Sequence, residues 1–106
     1  MLILPIKKKW FDMILSGEKK EEYREIKPYY DKRFGNYLVG YPIRDFDASV
    51  YPHIEFTVLF RNGYSRNSPQ IKCKCTLDKG FGKEEWGAEK GKEYYILKII
   101  EVINNE

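Results

Sequence analysis

The sequence predicts a single α+β domain, a small mixed or closed barrel of five or six strands with an early amphipathic helix and one or two short helices. Three observations lead to this prediction. Several segments alternate apolar and polar residues with the period of two that is typical of half-buried strands. One segment near the start of the chain has apolar residues at helical spacing. The length of 106 residues suits one domain, and no linker, repeat or low-complexity stretch divides the chain.

The first two elements are a short strand over Leu2–Pro5 and an amphipathic helix over Ile6–Ser16. The helix is predicted because its apolar side chains fall on one side of a helical wheel, and Trp10 lies in the middle of that stripe. We therefore expect Trp10 to pack in the core, with stacking on a nucleobase as the alternative. Gly17 follows where a helix C-cap is needed, since glycine adopts the left-handed conformation without strain.

The next segments carry more charge and are less regular. Lys19–Ile26 has the alternation of a strand with one solvated face, and Pro28 should end it because proline donates no hydrogen bond. A short helix is predicted from Pro28 to Phe34, ending at Gly35. Within residues 36–53 we expect an ordered loop with one short strand.

The second half of the chain predicts three further strands, at Ile54–Arg61, Ile71–Leu77 and Glu93–Ile103. The turn-rich residues 62–69 should form a loop longer than a tight hairpin turn. Residues 78–91 are rich in glycine, and we expect them to be irregular apart from one helical turn at Lys83–Trp86.

Composition and charge exclude several classes of protein. With 42% hydrophobic, 33% charged and 16% aromatic residues, the chain has the make-up of a folded globular protein. No apolar run approaches the roughly 20 residues that a membrane-spanning helix needs. The chain reaches its first lysines only after an apolar start, the reverse of a signal peptide, so we expect a cytoplasmic protein with no membrane partner.

The metal-ligating residue types are few. Cys73 and Cys75 are the only cysteines and share one face of a predicted strand, and His53 is the only histidine. A zinc site normally needs four ligands, so we expect two reduced, core-facing thiols and no metal. No serine or cysteine is tied to His53 by a recognisable motif, so a catalytic triad is not expected. No glycine-rich phosphate-binding loop is present in the sequence, so we expect no cofactor.

The most specific pattern is Gly-x-Lys-x-x-Glu-x-Arg at the end of the first helix, with Gly17, Lys19, Glu22 and Arg24 in its four positions. This pattern resembles the signature of the ASCH family, whose fold is similar to the PUA domain of RNA-modifying enzymes. Weaker similarity continues through residues 60–64, 86–88 and 94–98. The resemblance implies one PUA-like barrel over residues 1–106, with the signature residues lining a cleft between helix and barrel that binds RNA or a modified nucleotide.

The spacing of the charged residues is compatible with such a site. Glu22 and Arg24 project from one face of a strand, where a carboxylate can accept from a base amino group and a guanidinium can bind a phosphate or carbonyl. Lys19 would point to the opposite face of a regular strand, so it must lie in a turn or bulge to join them. Lys20 has the right register and is the alternative. The simpler interpretation is that Lys19–Glu25 is a solvated edge strand whose charges discourage aggregation.

An enzyme is the second hypothesis. One branch of the ASCH family hydrolyses the acetyl amide of acetylcytidine, and ribonuclease activity is attributed to others. The amidohydrolase branch places a threonine nucleophile where this chain has Glu22, which disfavours that mechanism. Water-mediated hydrolysis, with Glu22 as base and Lys19 stabilising an oxyanion, is chemically feasible. A later carboxylate would join the site, and the candidates are Glu84, Glu85 and Glu89. A protein-interaction adaptor is the third hypothesis.

A window without carboxylates lies between Glu55 and Asp78, and it combines four basic residues with an aromatic ring: Arg61, Tyr64, Arg66, Lys72 and Lys74. Positive charge beside an aromatic ring is typical of surfaces that follow a single-stranded backbone. All of these except Arg66 are therefore further candidate RNA-binding residues. An ordinary solvated sheet face is the alternative, and the formal charge of +3 is too small to decide. The sequence does not indicate an oligomeric state.

Overall fold

The computed structural model describes residues 1–40, 43 and 54–103. His53 lies outside the described residues, as does most of the segment in which a short strand is predicted. The elements in chain order are β1 (Leu2–Pro5), α1 (Lys8–Leu15), β2 (Glu21–Glu25), α2 (Pro28–Leu38), β3 (Phe56–Arg61), β4 (Gln70–Phe81), a 3₁₀ turn (Glu84–Trp86) and β5 (Glu93–Ile103). This confirms the predicted α+β class.

The five described strands form one mixed sheet in the order β1-β3-β4-β5-β2. β1 runs parallel to β3, whereas every other neighbouring pair is antiparallel. The sheet curls into a half-barrel. Its two edge strands are joined by one side chain, because Arg24 of β2 donates from Nη2 to the backbone oxygen of Pro5 in β1 at 2.7 Å.

The main core fills the concave side of this sheet, here called the inner face. α1 and α2 contribute Ile14 and Phe34, both fully buried. The strands contribute the apolar members of their alternation, of which the most buried are Leu4, Val58, Phe60, Cys73, Cys75, Leu77 and Leu97. In β3 and β4 the alternation therefore predicted correctly which residues face the core.

A smaller cluster lies on the outer face of β2 and β5. It contains Tyr23, Tyr94 and Ile96 from these strands and Ala88 from the segment that covers them. Gly82 lies against the Tyr23 ring, and a Cβ there would come within 2.5 Å of it. Glycine at this position is required by packing.

Several element boundaries differ from those predicted: β2 covers only Glu21–Glu25, β3 begins at Phe56, and the largest differences are in α2 and β4. α2 continues to Leu38, so the prediction that it ends at Gly35 is wrong. Gly35 is buried inside the helix, and the left-handed glycine that follows the helix is Gly40, whose N–H donates to the Gly35 oxygen at 3.0 Å. β4 continues to Phe81 and pairs with the start of β5, so residues 78–81 are not irregular.

Other predictions are confirmed. β1 and β5 have the predicted bounds, the turn at Glu84–Trp86 is present, and residues 62–69 form a loop. α1 is shorter than predicted at both ends, and Gly17 follows it with a φ of +85°. Within the described ranges, no helix is long and apolar enough to cross a membrane.

The two cysteines are free and buried on the inner face. Burial raises the pKa of the Cys73 thiol to about 11 and raises that of Cys75 as well. The prediction of two core-facing thiols is confirmed. Among the described residues no three His, Cys, Asp or Glu side chains are grouped so that they could hold a metal ion.

Candidate ligand-binding site

Lys19 owes its position to the turn between α1 and β2. Its backbone N–H donates to the Met13 oxygen at 2.9 Å, just after the left-handed Gly17. Lys19 therefore precedes the strand alternation, and its side chain turns inward and is only 1% exposed. Lys20, the alternative from strand register, is exposed. The turn resolves the spacing problem that a regular strand would pose.

Glu22 lies between two cations. Its Oε1 is 3.1 Å from Lys19 Nζ, and its Oε2 is 2.7 Å from Arg24 Nη2. Glu22 is paired with Leu97 of β5, which places its side chain on the inner face of the sheet. We call Lys19, Glu22 and Arg24 the inner-face charge cluster. It withdraws two positive charges and one negative charge from water.

The Lys19 ammonium is surrounded by a backbone oxygen and two aromatic rings. It donates to the backbone oxygen of Trp86 and lies 4.5 Å from the centroid of the Trp10 ring and 5.1 Å from that of Tyr23. Burial lowers the pKa of Lys19, although the neighbouring Glu22 opposes this shift. Lys19 is thus too buried to contact a ligand itself, and its ion pair holds the Glu22 carboxylate in position.

Arg24 is the polar centre of the site. Its side chain is 10% exposed, and its Nη1 donates to the Tyr30 hydroxyl at 3.2 Å while Nη2 donates to Glu22 and Pro5. Its Nε is buried and has no hydrogen-bond partner among the described residues. A buried donor without an acceptor costs about 1–3 kcal/mol, and because this nitrogen is buried from water, a ligand in the site would contact the exposed tenth of the Arg24 side chain and not Nε.

A cavity of about 410 Å³ opens between the two edges of the sheet, and we call it the edge cavity. Glu22 and Arg24 line it together with the start of α1 and α2. Its aromatic wall is formed by Trp10, Tyr23, Tyr30 and Tyr94, and further charges are supplied by Lys7, Glu25, Lys27, Glu89 and Lys92. Flat rings beside mixed charges are suited to a nucleobase with its polar edge.

Trp10 serves both the core and the edge cavity. It is half-buried, packs against the main core and also lines the cavity. Gly87 approaches this ring so closely that a Cβ there would lie 3.0 Å from it. The expected core packing is therefore present, and the ammonium groups of Lys9 and Lys19 lie over the ring, 4.6 Å and 4.5 Å from its centroid.

The candidate residues fall into two groups on opposite faces of the sheet. Arg61, Lys72 and Lys74 alternate with core residues of β3 and β4, so they lie on the outer face, away from Glu22 and Arg24. Lys72 and Lys74 are half-buried.

The remaining candidates are separated by their loops. Tyr64 projects from the loop after β3 and is 94% exposed. Of the three later carboxylates, Glu89 lines the edge cavity, whereas Glu84 and Glu85 are exposed on the 3₁₀ turn. Sequence reasoning missed Tyr30 and Lys27, because their place in the site depends on how α2 meets the curled sheet.

Comparison with known proteins leaves the family open. No family model, no curated protein and no solved structure matches this chain. The ASCH resemblance stays a prediction, and the case for a function rests on the edge cavity and the inner-face charge cluster.

Proposed function

We propose that this protein is an ASCH-like domain with a PUA-like barrel that binds RNA or a modified nucleotide in the edge cavity. Arg24 makes the main polar contact with the ligand, and Glu22 and Lys19 hold Arg24 in place. The observation that carries the proposal is the largely buried Arg24 guanidinium, which is ion-paired with Glu22 on the wall of the cavity.

The charges of the inner-face charge cluster favour an acceptor-rich ligand. Lys19, Glu22 and Arg24 are 1%, 8% and 10% exposed, and together they carry one more positive charge than negative. Uncompensated charge is costly in a site withdrawn from water. A phosphate oxygen or a base carbonyl would supply part of the missing negative charge.

The size and lining of the cavity fit one nucleotide. Its volume of about 410 Å³ falls in the range of small-molecule sites. The rings of Trp10 and Tyr30 line the cavity and supply apolar surface to a base, and the exposed Lys7 and Lys27 lie at the rim where a phosphate would leave the cavity.

The geometry favours binding over hydrolysis. A general base must be free to accept a proton, but both carboxylate oxygens of Glu22 are engaged, one by Lys19 and one by Arg24. Lys19 is too enclosed to stabilise an oxyanion on a substrate. An amidohydrolase or ribonuclease would therefore have to use Glu89. A protein-interaction adaptor is disfavoured because the cavity is open.

The test is a titration of labelled single-stranded RNA and of free nucleotides into the wild type and Arg24→Ala at two salt concentrations. Loss of a charge-assisted contact should weaken binding by about 1–3 kcal/mol. Arg24→Lys keeps the charge but removes the planar fork, and it should also bind more weakly.

Arg33→Ala is the matched control. Arg33 donates to the Ile3 backbone oxygen at 2.7 Å and to the Tyr29 hydroxyl at 3.4 Å, contacts like those of Arg24 but outside the cavity. The affinity of Arg33→Ala for RNA and for nucleotides should equal that of the wild type. Unchanged affinity in folded Arg24→Ala removes Arg24 from the site, and a wild type that binds neither RNA nor nucleotides overturns the proposal.

A further inference from the structure

A second cavity, of about 430 Å³, lies beside the edge cavity. We call it the loop cavity, and it is lined by Pro5, Ile6, Lys7, Asn62, Gly63 and Tyr64. Pro5, Ile6 and Lys7 also line the edge cavity. The two cavities therefore lie on either side of one short backbone segment, residues 5–7, which spans at most about 10 Å.

The loop that forms the far wall is held in a defined conformation. Asn62 donates from Nδ2 to the Ile6 oxygen at 2.9 Å, and its backbone N–H donates to the Pro69 oxygen at 2.8 Å. Gly63 has a φ of +129°, and a Cβ there would lie 2.3 Å from Ser68 Oγ. These contacts fix the loop cavity and the backbone that carries Tyr64.

Tyr64 has no role within the part of the fold that the structure describes. Its side chain is 94% exposed. It makes no hydrogen bond, ion pair or ring contact with the described residues. A ring presented in this way on an ordered loop can offer its face to a base at little entropic cost.

The segment between the cavities carries positive charge. Lys7 is exposed, lines both cavities and has no carboxylate partner among the described residues. α1 begins directly after it without a side-chain cap or an acidic residue in its first turn. A phosphate that links two nucleotides would cross this segment, where a lysine and a positively charged surface meet it.

We propose that the loop cavity is a second base subsite, so that the ligand is a single-stranded oligonucleotide of at least two nucleotides. One base occupies the edge cavity, the linking phosphate passes Lys7, and the next base stacks on Tyr64. The inference rests on the proposed function of the edge cavity and extends it, because a free nucleoside would leave the loop cavity and Tyr64 unused.

The experiment compares the affinities of mononucleotides and dinucleotides. The four ribonucleoside monophosphates are titrated first, and then the homodinucleotide of the base that binds most tightly. The dinucleotide should bind the wild type at least about fivefold more tightly, the lower end of what one stacked base contributes. Tyr64→Ala should remove this gain and leave mononucleotide affinity unchanged.

Two variants serve as controls. Tyr64→Phe keeps the ring and should retain the full dinucleotide gain. Phe81→Ala removes another exposed ring, 68% exposed and outside both cavities, and should bind like the wild type.

The outcomes separate the inference from the function on which it rests. A dinucleotide that binds no more tightly than the mononucleotide overturns the inference, as does a gain that survives in Tyr64→Ala. In both cases, mononucleotide binding that depends on Arg24 leaves the proposed function standing. If the wild type binds neither mononucleotides nor dinucleotides nor RNA, the proposed function fails and the inference fails with it.

Discussion

Two lysine–glutamate ion pairs in this protein lie in opposite environments. Lys19 and Glu22 face the inner side of the sheet, are 1% and 8% exposed, and approach to 3.1 Å. Lys74 and Glu55 lie at the outer face, are 41% and 52% exposed, and approach only to 3.8 Å. Withdrawal from water strengthens the attraction within the first pair and makes each of its charges costly alone. Burial distinguishes the two pairs, whereas residue type does not.

The largest expected effect is on stability. Glu22→Gln leaves two buried cations without their shared carboxylate, and it should lower the free energy of unfolding by about 3–5 kcal/mol. Glu55→Gln removes the carboxylate of the exposed pair and should cost less than about 1 kcal/mol. Urea unfolding at neutral pH measures both. Equal costs for the two variants would show that the inner-face pair is not shielded from water.

The local patterns of the sequence predicted much of the fold. β1 and β5 have the predicted bounds because β1 is a short apolar run and β5 is a long, nearly continuous β-branched and aromatic run. The spacing of Lys19 to Glu22 allowed the two to converge only through a turn after Gly17 or a bulge, with Lys20 as the alternative, and the structure has the turn. Glycine was misleading at Gly35, which lies inside α2 because the apolar pattern continues to Leu38 and packs on the core.

The shape of the site could not be predicted from these patterns. Alternation places Glu22 and Arg24 on one face of β2, but it does not indicate whether that face is the core side or the solvent side. The edge cavity exists because the sheet curls until Arg24 reaches Pro5, a contact between the two edge strands. Curl depends on how five strands pair, and pairing is a property of the whole chain.

A second expected effect concerns pH. Because burial holds the pKa of Lys19 below its usual value of 10.5, the unfolded chain binds this proton more tightly than the folded chain does. Stability contributed by Lys19 should therefore rise as pH increases from the folded pKa toward 10.5. Subtracting the unfolding free energy of Lys19→Met from that of the wild type, between about pH 7 and 9.5, isolates this contribution.

The control for the pH series is Lys20→Met, the same substitution at the exposed neighbouring lysine. The difference between its free energy of unfolding and that of the wild type should change less with pH. Burial raises the pKa values of Tyr23 and Tyr95 above their usual value of 10.0, so the stability that these two residues contribute is lost as pH rises past 10.0, where the unfolded chain loses their protons first. The series ends below that pH. A difference for Lys19→Met that falls with pH would contradict the lowered pKa.

The smallest expected effect is that of the outer-face lysines on RNA binding. Lys72 and Lys74 are sequence-predicted RNA-binding residues, but they lie on the opposite face of the sheet from Arg24. Neither lysine lines the edge cavity or the loop cavity, so a ligand confined to these cavities does not contact them. The double variant Lys72→Ala/Lys74→Ala should therefore lower affinity for a short single-stranded RNA by less than about threefold.

The salt dependence of the same titration shows where the RNA runs. Each lysine that contacts a phosphate of a single strand contributes about 0.7 to the slope of log affinity against log salt concentration. If Lys72 and Lys74 both contact the backbone, the double variant should lose about 1.4 from that slope. An unchanged slope would restrict the RNA to the side of the cavities. If the slope falls by about 1.4 with a longer RNA but not with a short one, the strand continues from the cavities to Lys72 and Lys74.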